Sequence, residues 1–209
     1  MLRFRTLLCG EISAANSLVD QLAVLASEKD AVFWKAGATY MRAWIVSQSG
    51  AATDVLSAIS AGLNEWQSAS ATVWFPRLLS YQAKAYANVG DFENAWQAIA
   101  EALRIIEITN ERWCEADVHR ISGDIALKSP EPDAAKAEAY FERALTIARQ
   151  QQAKSWELRA AMSLARLWGD QGKVHQAREL LAPVYGWFTE GFDTRDLKEA
   201  KALLEQLSS

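Results

Sequence analysis

The stretch YQAKAYANVGDFENAWQAIAEAL, residues Tyr81 to Leu103, decides the fold. Small apolar residues recur through it at helical intervals: Ala83 and Ala87 before Gly90, then Ala95, Ala98, Ala102 after it. Gly90-Asp91 between them supplies a turn, since glycine alone enters the left-handed backbone region without steric cost. The stretch therefore reads as two helices joined by a tight turn, each with one narrow face able to approach the other closely.

Moving outward, the same pattern repeats. Gly10, Gly50 and Gly90 lie 40 residues apart, and Gly172 lies 82 further on. The slot between Gly90 and Gly172 holds Ser129-Pro-Glu-Pro-Asp133, another turn signal. Five residues past each turn stand Ala15, Val55, Ala95, Ala137 and Ala177. Four further on stand Val19, Ile59, Ile99, Phe141 and Leu181, and three beyond those Leu22, Gly62, Ala102, Ala144 and Val184. On the other side of the turns, Ala43, Ala83, Gly123 and Ala165 form a small-residue column. A period of about 40 with this many columns in phase marks a repeat architecture. No segment alternates with period two, so no sheet is expected.

Helices are expected over 2–8, 11–28, 31–48, 52–68, 73–89, 92–109, 112–128, 133–151, 154–171, 174–189 and 194–207. The last is amphipathic through Leu197, Ala200, Leu204 and Leu207 and reads as a cap, which a repeat stack needs at its end. Pro183 should bend its helix or shift its start, whereas Pro76 sits in a first turn where proline is tolerated. The expected organisation is a single domain over 1–209, with a partial repeat 1–29, repeats 30–70, 71–110, 111–152 and 153–190, and a cap at 193–207. The phase leaves only residues 2–8 for the first helix of the opening unit. That open end is expected to pack against an upstream domain or, in a homodimer, a second copy.

Composition narrows the function. Half of the 209 residues are apolar, 23% are charged and the net charge is −4, with a sequence pI near 5.3. A dedicated nucleic-acid binder usually carries a basic excess, so nucleic acid is not an expected partner. No apolar run approaches the ~18 residues of a membrane span. Met1–Gly10 has two arginines, a short apolar stretch and Cys9, but that stretch falls short of the ~7–15 residues of a signal. Leu8 before Cys9 is also too bulky for cleavage, and a cytoplasmic protein is expected. Two cysteines, Cys9 and Cys114, fit a reducing compartment.

Chemistry is sparse. His119 has Glu115 one turn away, yet a zinc site needs more nitrogen or sulfur ligands, and a partly buried, hydrogen-bonded histidine is expected. His175 follows a turn and should be solvated; Glu131 and Asp133 flank prolines in a loop. No catalytic residue, metal or cofactor is expected. Of the nine tryptophans, Trp96 and Trp168 fall on packing columns and are expected in the core. Trp34 and Trp74 near helix starts, and Trp66, Trp113 and Trp156 near inter-repeat junctions, should fill gaps between units, while Trp187, Phe188 and Phe192 should dock the last helix.

Through Ala83, Tyr86, Gly90, Ala95, Ile99 and Ala102 the Tyr81–Leu103 unit resembles a tetratricopeptide repeat, lengthened from the usual ~34 residues. The resemblance implies an all-α, tetratricopeptide-like helical-hairpin solenoid of about four and a half repeats plus the C-terminal capping helix. Two segments, Asn110-Glu-Arg-Trp-Cys-Glu-Ala-Asp-Val-His-Arg120 and Ser163–Leu204 (SLARLWGDQGKVHQARELLAPVYGWFTEGFDTRDLKEAKALL), resemble the tail of large bacterial signal-transduction ATPases. Members of that family carry an N-terminal adenylate/guanylate cyclase-like or DNA-binding domain. Only their repeat tail is matched; no phosphate-binding glycine loop or cyclase aspartate pair occurs in this sequence.

In tetratricopeptide repeats, residues one after and three and six before the small column line the concave face. Carried over, this selects Gly37, Tyr40 and Trp44; Arg77, Ser80 and Lys84; Asp117, Arg120 and Asp124; and Arg159, Met162 and Arg166. Arg77, Lys84, Arg120, Arg159 and Arg166 outnumber Asp117 and Asp124, so the expected groove is basic with an aromatic Tyr40/Trp44 end. Such a groove suits an acidic peptide, since arginine pairs carboxylates in bidentate fashion. The opposing reading is that these are solvated charges paired along their helices. The expected function is a non-catalytic protein-protein interaction scaffold whose partner is a protein or peptide segment, or upstream cyclase/ATPase domains. The alternative is a sensor arm that takes a small effector and controls an ATPase or cyclase. Reversing Arg120 together with Arg166 is expected to weaken peptide capture but spare folding.

Overall fold

A computed structural model describes residues 12–47, 52–68 and 74–208. It is all-helical: ten α-helices and one 3-10 turn, with no strand among the described residues. They are α1 (Ile12–Glu28), α2 (Val32–Ser47), α3 (Ala52–Ser68), α4 (Phe75–Asn88), α5 (Phe92–Thr109), the 3-10 turn Arg112–Cys114, α6 (Glu115–Lys128), α7 (Ala134–Gln150), α8 (Lys154–Asp170), α9 (Val174–Gly186) and α10 (Arg195–Gln206). The expected helix over 2–8 and the turns at Gly10 and Gly50 lie outside the described residues. None of the described helices is long and apolar enough to cross a membrane.

The chain divides into two compact units, Met1–Ile105 and Ile106–Ser209. In the first, α1 packs on α2, α2 on α3 and α3 on α4. Ala15, Val19 and Leu22 of α1 meet Ala38, Met41 and Ile45 of α2. Gly62 of α3 faces the Tyr40 backbone so closely that an added Cβ would lie 2.9 Å from Tyr40 Cα. In the second unit α7 packs between α6 and α8, and α9 and α10 both pack on α8. Here Gly123 of α6 lies under the Phe141 ring of α7, where a Cβ would fall 2.3 Å from the nearest ring carbon.

The repeating columns are the interior of these hairpins. Val19, Ile59, Ile99, Phe141 and Leu181 are all at most 2% exposed, and so are Ala15, Ala95, Ala137 and Ala177. Ala83 and Ala165 of the small column are fully buried. The Ala43 and Val55 side chains lie outside the described residues.

Four of the turns share one device. At Gly90 and Gly172 φ is +84° and +77°, and the next residue's N–H reaches back five residues, Asp91 to the Tyr86 carbonyl and Lys173 to the Trp168 carbonyl. Asp30 and Gln152 do the same without glycine: φ is +47° and +53°, and Ala31 and Ala153 donate to the carbonyls of Ala26 and Ala148. This is the bonding that satisfies a helix's last carbonyls. Asp133 caps α7 by accepting the Lys136 N–H at 2.8 Å.

Some tryptophan expectations are corrected. Trp96 and Trp168 are half-buried rather than core, and Trp168 donates its indole N–H to Glu138 at 2.7 Å. Trp34, expected to fill a gap, is 41% exposed. Trp187 and Phe192 do not dock α10: they are 57% and 46% exposed on the α9–α10 connector. Trp187 lies edge-on to Phe188 with Lys154 Nζ 5.5 Å from its ring centroid. Trp156 does fill a junction, against Ala116, Ile147 and Ala148. Pro183 leaves the α9 start at Val174; it sits in the last turn, where the helix ends three residues later.

Candidate functional site

In the N-terminal unit the register positions fall on α2 and α4, and two of them come together. Tyr40 is 3% exposed and its hydroxyl donates to the Leu78 carbonyl at 3.2 Å. Burial pushes the Tyr40 phenol well above its ordinary value; Tyr81 pushes the same way and the Arg77 charge opposes. Arg77, only 4% exposed, donates to the Tyr81 hydroxyl and stacks 4.9 Å from the Tyr81 ring centroid. Ser80 is buried and donates to the Arg77 carbonyl at 2.8 Å. Gly37 is buried as well, while Lys84 is half-buried. The Trp44 side chain lies outside the described residues. Tyr40 and Arg77 thus join a closed polar cluster with Tyr81, where the expectation was an open aromatic and basic surface.

In the C-terminal unit the positions fall on α6 and α8. Arg120 is clamped by two acids of its own helix, Nε to Asp117 at 2.9 Å and a terminal nitrogen to Asp124 at 2.8 Å. Asp117 is 2% exposed and Met162 is 3% exposed, so neither presents a side chain to a partner. Arg159 donates to Asp196 of α10 at 2.8 Å and stacks 5.0 Å from the Trp156 ring centroid. Arg166, about half-exposed, reaches Glu199 of α10 at 3.4 Å. Burial pushes the Glu199 carboxyl up, but the hydrogen bond from Arg195 and the charges of Arg195 and Arg166 outweigh it, so its pKa ends below the ordinary value.

Within the chain, four of the five basic positions expected to line the groove are buried or paired with carboxylates. Arg120, Arg159 and Arg166 are matched by carboxylates, two of which, Asp196 and Glu199, come from the last helix. The register rule placed the arginines but carried no information about α10. The reversal of Arg120 with Arg166 also ceases to be a clean test, because it would leave the buried Asp117 facing a like charge. Glu157, 5% exposed, is a further buried acid outside the register positions and accepts from Arg149 at 3.0 Å and Lys154 at 2.7 Å. It stands 42 residues after the equally buried Glu115, a column readable in the sequence.

His119 is not the hydrogen-bonded histidine expected. It stacks on Tyr140 of α7 with centroids 6.1 Å apart, and its buried Nδ1 has no hydrogen-bond partner. Burial and the Arg143 charge lower its pKa to about 4. His175 is exposed beside Glu179 at 3.3 Å. Cys114 is fully buried and outside any disulfide; Cys9 lies outside the described residues. No group of three or more histidines, cysteines, aspartates or glutamates able to hold a metal occurs among the described residues. An open depression of about 470 Å³ lies against α9 and α10, lined by Tyr185, Lys201, Leu204, Glu205 and Ser208.

Comparison with models of known protein families and with curated proteins finds no match to this chain.

Proposed function

We propose that the chain is a tetratricopeptide-like protein-interaction module, a non-catalytic stack of helical hairpins that serves as a regulatory region in signal transduction. Its partner is a protein or peptide segment, or the cyclase/ATPase domains that accompany such tails. One observation carries this reading. Wherever their side chains are described, the same three columns are buried in successive helices at spacings of 40 to 42 residues, with Val19, Ile59, Ile99, Phe141 and Leu181 nearly inaccessible. An interior this repetitive leaves the outward positions of each hairpin free to vary, which is how repeat stacks build extended binding surfaces. Of the basic register positions, Arg166 is exposed and Lys84 is half-buried, and a carboxylate-bearing segment matches them.

The test is a display library of acidic and neutral peptides panned on the immobilised full chain. Acidic ligands weakened about tenfold by Lys84→Glu or Arg166→Gln, and unchanged by Arg104→Glu on the exposed side of α5, support the reading; about tenfold corresponds to 1.4 kcal/mol. Ligands indifferent to both substitutions, or equally sensitive to all three, refute it. The small-effector alternative has one observation in its favour, the depression beside Tyr185 and Lys201. A thermal-shift screen separates the two, since a ligand bound only by the native state raises its stability.

A further inference from the structure

The α8–α9 face of the C-terminal unit already holds a helix, and the chemistry of that contact is self-contained. Leu197, Ala200, Leu203 and Leu207 supply a buried apolar stripe. Asp196 and Glu199, three residues apart, meet Arg159 and Arg166, seven residues apart on α8. Leu207 closes on the bare Gly169, where a Cβ would lie 3.2 Å from its methyl carbon. The connector to this helix, residues 187–194, leaves two large aromatics half in water, although Trp187 lies edge-on to Phe188 and Phe192 against Tyr185. Trp187 and Phe192 stand 57% and 46% exposed, Gly186 has no neighbour within 4 Å of an added Cβ, and Gly191 adopts φ +77°. Eight extended residues span about 26–29 Å, enough to carry the helix to a neighbouring molecule.

We propose that α10 is an exchangeable helix, and that the Arg159/Arg166 face accepts the α10 of a second copy of this chain in place of its own. Every contact of the closed form is then remade between copies, so exchange costs little beyond the entropy of association. The two connectors run side by side in the exchanged pair. Their aromatic side chains, each able to bury about 150–250 Å², gain a surface that the closed form leaves to water. The inference is independent of any peptide partner and concerns the chain's own self-association.

A charge-swap experiment on the full chain tests it. One variant carries Arg159→Glu and Arg166→Glu, so its face repels its own helix; the other carries Asp196→Lys and Glu199→Lys, with the same mismatch in the opposite sense. Neither matches itself, within one copy or between identical copies, but each helix matches the other variant's face. Mixing them should give a 1:1 complex of twice the 23.2 kDa chain mass by light scattering. A chain with all four substitutions should regain the closed form, less the exposed Arg195–Glu199 pair that Glu199→Lys removes. A control, Glu93→Lys with Glu107→Lys, carries the same charge change on exposed sites of α5 and should not pair with the first variant. If either variant is unfolded alone, recovery of helical circular dichroism on mixing supports exchange, and failure to recover overturns it. Two folded variants that stay separate, or a control that pairs as well, also overturn it.

Discussion

Gly123 under the Phe141 ring allows a sharp test of the hairpin register. A Cβ at Gly123 would lie 2.3, 2.6 and 2.8 Å from three carbons of that ring, and the ring, 1% exposed, has little room to retreat. Overpacking of this kind costs about 1–3 kcal/mol, and the ring's rigidity puts Gly123→Ala near the top of that range. Better helix propensity returns about 1 kcal/mol, leaving a net loss of about 2 kcal/mol. The two columns elsewhere hold Ala83 with Ile99 and Ala165 with Leu181, a larger small residue matched to a smaller large one. Phe141→Leu alone should open a cavity and cost about 1–2 kcal/mol. Gly123→Ala combined with Phe141→Leu imports the neighbouring pair and should stand within about 1 kcal/mol of the parent, so the two changes couple favourably by about 2–3 kcal/mol. Thermal unfolding followed by circular dichroism reads this as a fall of about 4–8 °C for Gly123→Ala, most of it recovered in the double variant. A neutral or stabilised Gly123→Ala, the outcome for an exposed helix glycine, would sink the argument, as would two losses that simply add.

Three further outcomes follow from single contacts. Arg120→Ala strips the buried Asp117 of a charge partner and should destabilise by about 3 kcal/mol in urea unfolding, whereas removing an exposed arginine such as Arg178 should change nothing measurable. His119, with its folded pKa lowered to about 4 from an ordinary 6.5, binds its proton more readily unfolded. Stability should therefore fall as the pH drops from about 6.5 to 4, by about 3 kcal/mol in all, and unfolding titrations of His119→Phe should lack that component. Gln152→Gly removes a left-handed strain of about 1–2 kcal/mol and restores about 0.5–1 kcal/mol of unfolded-chain freedom, so its melting temperature should rise slightly, by about 2 °C.

How much of this was legible depends on what a column encodes. Phase along the chain fixes which way a side chain points, and so the buried sets through Val19 to Leu181 and the helix limits near Gly90 and Gly172 could be read directly. Asp30 and Gln152 carry a weaker signal, because aspartate enters the left-handed region far less readily than glycine and glutamine more rarely still. The surroundings of the groove positions were not legible for a separate reason. Tyr40 and Arg77 share a register face, but register does not say what lies opposite, and Gly62 brings α3 against the Tyr40 backbone while Tyr81 receives the Arg77 guanidinium. For Arg159 and Arg166 the missing fact was the seat of α10: its stripe was readable through Leu197, Ala200 and Leu207, with Leu203 buried where Leu204 was expected, but the helix on which it would lie was not.

The ion pairs of α10 also bear on why that seat is unique. Leu197, Ala200, Leu203 and Leu207 recur every three or four residues, so an apolar stripe slid by one turn, about 5.4 Å, would still meet apolar surface. The same slide breaks the Arg159–Asp196 and Arg166–Glu199 pairs together, since each depends on one height along α8. Partly buried pairs of this kind add little net stability once desolvation is subtracted, and apolar replacements of similar volume are often neutral or better. Replacing Arg159 and Asp196 together by leucine should therefore hold or raise the melting temperature, while amide hydrogen exchange across Arg195–Gln206 should lose its single protected pattern as registers mix. If the double leucine variant keeps one sharp exchange pattern, the apolar stripe and the Leu207–Gly169 contact set the register without help from charge. If it also melts far below the parent, the pair is a source of stability and the division of labour argued between stripe and charge is wrong.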